Sequence, residues 1–217
     1  LLAGAERPGI AIVLPGLQGE PLLIDVGANI APKPAHLLQY ALMGEAYARA
    51  VLGNPKPTVA LLNVGEEETK GTDFIRETYS LLESSAANFV GNAEGRDLFA
   101  GTFNVIVCDG FVGNVALKTA ESMAKAISQV LKRSLARSPI TRLGAWLCRG
   151  AFQALRKEID YAEHGGAPLL GVDGVCIIAH GASTAKAIKN AIRAGYESAR
   201  HDVNRHLIEA LQRHTQP

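Results

Sequence analysis

Cysteine is scarce in this chain: Cys108, Cys148 and Cys176 among 217 residues, an odd number with no paired spacing. That excludes a disulfide framework and points to a reducing compartment. Aromatic residues make up 6%, too few for a base-stacking surface. The net charge of +1 offers no global field to attract nucleic acid. No apolar run approaches the ~20 residues that span a bilayer, and no basic-then-apolar leader signals export. The expected location is the cytoplasm. Nucleotide signatures are missing too: there is no GxGxxG and no GxxxxGK[ST]. Nor is there a GxSxG elbow or a Cys/His spacing for zinc. Asp25 and Asp109 close two strand runs, but the clustered ligands a metal needs are absent, so no metal and no cofactor is expected.

What is present is ordinary for a globular protein, 47% hydrophobic and 20% charged. The length suits one α/β domain over residues 1–217. The chain opens LLAGAERPGIAIVLPG, without an initiator methionine and with an apolar run at once. That is expected of a chain that begins in mid-fold. Short apolar runs follow at Ile10–Leu14, Leu22–Val26, Val59–Val64, Asn88–Val90, Val105–Cys108 and Val175–Ala179. Several are apolar on consecutive residues, as in strands covered on both faces. Between them the pattern predicts helices over Pro34–Leu52, Thr72–Glu83 and Asn114–Ala136, and a long one over Ser183–Gln212 broken near Gly195 or His201. Alternating strands and helices predict a three-layer α/β/α fold with a mostly parallel sheet.

In such sheets ligands bind beyond the carboxyl ends of the strands. Here those ends are glycine-rich and polar: Gly27-Ala28-Asn29, Gly65-Glu66-Glu67-Glu68, Gly91 to Asp97, Asp109 to Asn114, and His180-Gly181-Ala182-Ser183. Glycine lets a backbone approach a ligand, and a helix N-terminus presents unpaired amides to an anion. Gly110, Gly113, Asn114, Gly181 and Ser183 are therefore candidates for holding phosphate or an oxyanion. Asn114 and Ser183 serve equally well as helix caps.

Residues 132–157 form a separate feature, with seven positive charges and no acid. Ser138-Pro139 reads as a cap and first helical residue. Ile140, Leu143, Leu147, Ala151 and Leu155 then recur at helical spacing beside Trp146 and Phe152. A basic amphipathic helix of this kind suits a dimer seam, an anionic membrane or an acidic partner.

Six stretches taken together resemble the PlsX family of phosphate acyltransferases: DVGAN at 25–29, LLNVGEE at 61–67, FVGNAEGRD at 89–97, VCDGFVGNVALKT at 107–119, YAEHGGAPLLG at 161–171 and AHG at 179–181. The resemblance covers almost the whole chain in order. The family's opening strand and glycine-rich turn have no counterpart in it. The resemblance implies transfer of a fatty acyl group from acyl carrier protein to inorganic phosphate, giving acyl phosphate for phospholipid synthesis. It also implies a fold similar to isopropylmalate dehydrogenases and phosphate acetyltransferases, with a protruding helical hairpin over 114–157, and a homodimer. On that reading His180, Lys118 and Asp109 are catalytic candidates. His180 would act as acid, base or oxyanion donor, Lys118 would neutralise phosphate, and Asp109 would orient either one. Asn29, Asn63, Gly65, Glu66, Asn92, Glu94 and Gly95 would line the cleft. Arg142, Leu143, Trp146, Leu147 and Arg149 would touch membrane or carrier protein, placing the enzyme at the inner face of the membrane. The related acetyltransferases carry an acid six positions after the place of His180, where this chain has Lys186, so the general base is not carried over.

Two rivals stand beside this expectation. One is a phosphate acetyltransferase-like enzyme that uses a coenzyme A thioester. The other is an inactive chain that only dimerises and binds partners. An acyl-cysteine mechanism through Cys108 is a third possibility, against which its apolar strand environment speaks.

Overall fold

The computed structural model describes residues 1–159, 166–179 and 183–215, and the side chains of 156–159 and 214–215 are outside that description. Seven strands form one sheet: β1 (Gly9–Val13), β2 (Leu22–Ile24), β3 (Val59–Leu62), β4 (Phe89–Ala93), β5 (Val105–Val107), β6 (Ala167–Leu170) and β7 (Ile177–Ile178), in the order β4-β3-β5-β2-β1-β6-β7. Strands β2 to β5 are mutually parallel. Strand β1 runs antiparallel to both β2 and β6, and β7 is antiparallel to β6. The sheet is therefore mixed, with five of seven strands pointing one way. The exception at β1 has a simple cause. Residues 14–21 are too few for a helical crossover, and the connection turns back directly, with the Leu14 amide on the Pro21 carbonyl at 2.8 Å.

Among the described residues seven α-helices accompany the sheet: α1 (Pro34–Ala50), α2 (Asp73–Glu83), α3 (Gly110–Leu135), α4 (Pro139–Leu147), α5 (Arg149–Ile159), α6 (Ala185–Arg200) and α7 (Val203–Thr215). Helix α1 starts at Pro34, as the sequence predicts, and α2 starts at Asp73 with Thr72 as its cap, one residue after the predicted start. The terminal helical stretch breaks at Asp202, which has φ 48, near His201 as anticipated.

Alternate strand residues divide the core. Leu22, Ile24, Val59, Leu61, Val105 and Val107 face α1, α2 and α7, where Leu37, Tyr40, Leu82 and Leu207 are buried against them. Leu23, Ala60, Leu62, Ile106 and Cys108 face the other way, towards Leu98 and the first turns of α3 through Ala116 and Leu117. Beyond its first turns α3 leaves the body, and from Glu121 to Leu135 none of its residues is buried.

Four expectations are corrected. Strand β6 is missing from the sequence reading, because Pro168 and a preceding glycine mask its apolar alternation. From Ser138 on, the basic segment is two helices rather than one, since Cys148 ends α4 before α5 begins. Helix α3 begins at Gly110, not Asn114, because Asp109 is its cap. Helix α6 begins at Ala185 on a Thr184 cap, so Ser183 is neither cap nor first turn.

Candidate active site

The carboxyl ends of β4, β3, β5 and β2 lie side by side on one edge of the sheet. Two of their turns meet there. Gly113, in the first turn of α3, lies against the backbone of Asp25, with no room for a Cβ. Gly27, at φ +140, sits beside the Asn114 side chain. The turn at 25–29 and the start of α3 are thus one locus.

The amides of this locus are already engaged. Asp25, fully buried, accepts through Oδ1 from the amides of Ile10, Gly27 and Ala28 at 3.1, 3.0 and 2.9 Å. Its Oδ2 accepts from the Asn29 amide at 2.7 Å. Asp109 Oδ1 accepts from the amides of Phe111 and Val112, both at 2.9 Å. The Gly110 amide donates to the Asn29 carbonyl and the Gly113 amide to the Asp109 carbonyl, both at 2.9 Å. So the Gly110–Gly113 amides do not form the expected anion cradle: the chain's own carboxylates and carbonyls occupy them. Asp109 caps α3 and does not orient Lys118, whose Nζ is 3.1 Å from Glu121 Oε2.

Asn29 is turned inward. Its Nδ2 donates to the Pro8 carbonyl at 2.6 Å and to the Tyr40 hydroxyl at 2.7 Å. It ties the turn to α1 rather than lining a cleft. Burial first, and Asp25 second, push the Tyr40 phenol far up. What the locus offers a ligand is Asn114, which is exposed, with Lys118 one helical turn on. Cys108 is buried and donates through Sγ to the Asp25 carbonyl at 3.3 Å. Burial pushes its thiol well above the usual range, which fits a packed core thiol and not a nucleophile.

The neighbouring turns of β3 and β4 form a second locus. An open cleft of about 790 Å³ lies here, with Glu66, Glu68, Tyr79, Asn92, Asp97 and Phe103 among its lining residues. Asn92 Nδ2 donates to the carbonyls of Glu66 and Glu67 at 3.3 and 3.1 Å. Arg96 bridges Glu66 at 2.5 Å and Glu94 at 3.2 Å, and Asp97 Oδ2 accepts from the Glu94 amide at 2.7 Å. Asn63 Nδ2 donates to the Lys70 carbonyl at 3.2 Å. Gly65 is buried in the turn and Gly95 is exposed. Lys70, absent from the sequence candidates, is exposed and makes no ion pair among the described residues. A lysine immediately before Gly71 and a helix cap was the available signal. His180 and Gly181 lie outside the described residues. Among the described residues no group of three or more His, Cys, Asp or Glu could hold a metal.

The family model of the fatty acid synthesis protein matches residues 1–206. This chain belongs to that family, PlsX. The chain is 51% identical over 211 residues to the phosphate acyltransferase of Geotalea uraniireducens (strain Rf4), covering 97% of this chain and 61% of that protein. It is 50% identical over 207 residues to the phosphate acyltransferase of Aquifex aeolicus (strain VF5), covering 95% of this chain and 61% of that one. It therefore spans about 61% of the length of these curated relatives. Among solved structures the chain is similar to a branched-chain phosphotransacylase from Enterococcus faecalis V583, with TM-score 0.54 and 14% identity over 88% of this chain and 64% of that one. At that identity the likeness concerns the α/β fold alone.

Proposed function

We propose that the chain carries the greater part of an acyltransferase that moves a fatty acyl group from acyl carrier protein to inorganic phosphate, forming acyl phosphate for phospholipid synthesis. The observation that carries this reading is its 51% identity, over 97% of its length, to a protein named phosphate acyltransferase. The chemistry is compact. A phosphate oxygen adds to the thioester carbonyl, whose π pair moves to oxygen. The tetrahedral adduct then collapses, the C–S bond breaks, and the proton of the phosphate hydroxyl leaves with the thiol. No covalent protein intermediate is needed, in keeping with the buried Cys108.

With the turn amides engaged, side chains must supply the donors. Asn114 beside Gly27 is the neutral donor to phosphate or oxyanion. Lys118 and Lys70 supply positive charge, and His180 keeps the acid–base role that the family resemblance gives it. The exposed face of α4, with Leu143, Trp146 and Leu147 beside Arg142 and Arg149, meets an anionic membrane surface or the acidic carrier protein. The apolar flank of α3 meets a second copy of the chain. The enzyme is cytoplasmic and peripheral at the membrane. Among the described residues no helix is long and apolar enough to cross one.

The test is thiol release from a long-chain acyl carrier protein, with and without inorganic phosphate. Phosphate-dependent release is expected, and Asn114→Ala should lower it by about 10²-fold, the scale of one lost oxyanion donor. Silence both from this chain and from one extended to the relatives' length would overturn the reading.

A further inference from the structure

Asn92 carries a feature that acyl transfer to phosphate does not use. Its residue is 7% exposed, and its Nδ2 donors are fixed on the Glu66 and Glu67 carbonyls. That settles the amide's orientation, because turning it over would set Oδ1 against two carbonyl oxygens. Oδ1 itself is buried and has no donor among the described residues. A buried acceptor of this kind is unfavourable until a donor reaches it.

The cleft that Asn92 lines has Glu66, Glu67, Glu68 and Asp97 around it, and Lys70 stands outside that lining, so the cleft itself disfavours an anion. Two of these carboxylates are already engaged, and a third lies against a phenol. Glu66 is paired with Arg96, Asp97 holds the Glu94 amide, and the Glu68 carboxylate, after burial, helps push the Tyr79 phenol up. Val90, Phe103 and the Tyr79 ring give the walls apolar surface. The occupant that fits is neutral, carries N–H donors and has methylene runs between them.

We propose that this cleft receives the pantetheine arm of the thioester substrate, with an amide N–H of the arm donating to Asn92 Oδ1. The inference rests on the acyl-transfer reading above and adds the place where the carrier's arm lies. It separates the two substrates: the neutral arm enters the cleft at β3–β4, while phosphate is left to Asn114 and the flanking lysines outside the cleft lining. No bond is made or broken in the cleft.

The probe is S-octyl pantetheine, a thioether that cannot react, titrated into the 217-residue chain. The amide-free control is S-octyl mercaptoethanol. Asn92→Ala should weaken the pantetheine thioether about tenfold, or about 1.4 kcal/mol, and leave the control unchanged. Because Asn92 also tethers the 66–67 turn, Val90→Arg serves as a second variant. It places a long side chain in the cleft from an exposed edge position and should weaken binding at least as much. Holo-acyl carrier protein or coenzyme A should displace the probe, and the one that does so names the source of the arm. The inference is overturned by equal affinity for both thioethers, by binding indifferent to both substitutions, by tighter binding of spermidine, or by displacement with neither carrier. Phosphate-dependent thiol release is scored separately on the unsubstituted chain. Its absence both from this chain and from one extended to the relatives' length sinks the acyl-transfer reading, whatever the thioether titration gives.

Discussion

Three aspartates explain most of how the site edge is built. Asp25, Asp97 and Asp109 each turn a carboxylate back onto amides of their own turn. Asp25 is the most deeply committed, so Asp25→Ala leaves four amides without their acceptor. The expected cost is about 3–5 kcal/mol, read as a lower urea midpoint. Cys108 gives a second prediction at this scale. The exposed Cys148 and Cys176 should react with a disulfide reagent in the native chain, and Cys108 only after denaturation. The sequence showed which turns matter, because glycine and asparagine cluster visibly at strand ends. It did not show that Asp109 would consume the amides offered to an anion: a capping carboxylate and an empty cradle look alike in one dimension. Nor did it show that Asn29 faces inward, since that depends on Pro8 and Tyr40, which are distant in the chain.

Helices α3 and α4 carry the next level. The caps at Thr72, Ser138 and Thr184 are local chemistry, and the one at Ser138 was legible in sequence for that reason. Strand direction depends on partners far away, so the antiparallel β1 and the short β6 escaped a reading based on periodicity. At the junction of β2 and α3, Gly113→Ala would drive a methyl into the Asp25 carbonyl. We expect about 1–3 kcal/mol of destabilisation from such overpacking, with loss of phosphate-dependent thiol release greater than the stability loss explains. At α4, Trp146 is 59% and Leu147 68% exposed, with the Arg149 guanidinium over the indole at 5.4 Å. Changing both apolar residues to aspartate should remove most co-sedimentation with anionic liposomes and leave the thermal midpoint nearly unchanged. Unaltered co-sedimentation would sink the membrane contact.

The whole molecule has a predicted alkaline limit. Burial is the first cause that raises Tyr40, Tyr47 and Cys108 above their usual values. The fold therefore favours their protonated forms. Their contribution is complete below the unfolded values, near 8.5 for the thiol and 10 for the phenols, and is lost as pH rises beyond them. Unfolding free energy measured in urea should be level to about pH 8 and then fall, by up to about 1.4 kcal/mol per pH unit for each group. Tyr40→Phe should flatten the part above pH 10. At this scale the α/β architecture was legible because β2, β3 and β5 are apolar on every residue, a pattern that only double-sided burial permits. The backbone contact between Gly113 and Asp25 also has a mechanical meaning. From it, α3 runs on for 22 residues to Leu135, or ~33 Å at 1.5 Å per residue. A stiff rod anchored at one end is a lever: a tilt of only 5° about that contact sweeps its far end through ~3 Å, by the same rise. Any load on the distal helices is thus returned, at high mechanical advantage, to the pivot beside Asn114.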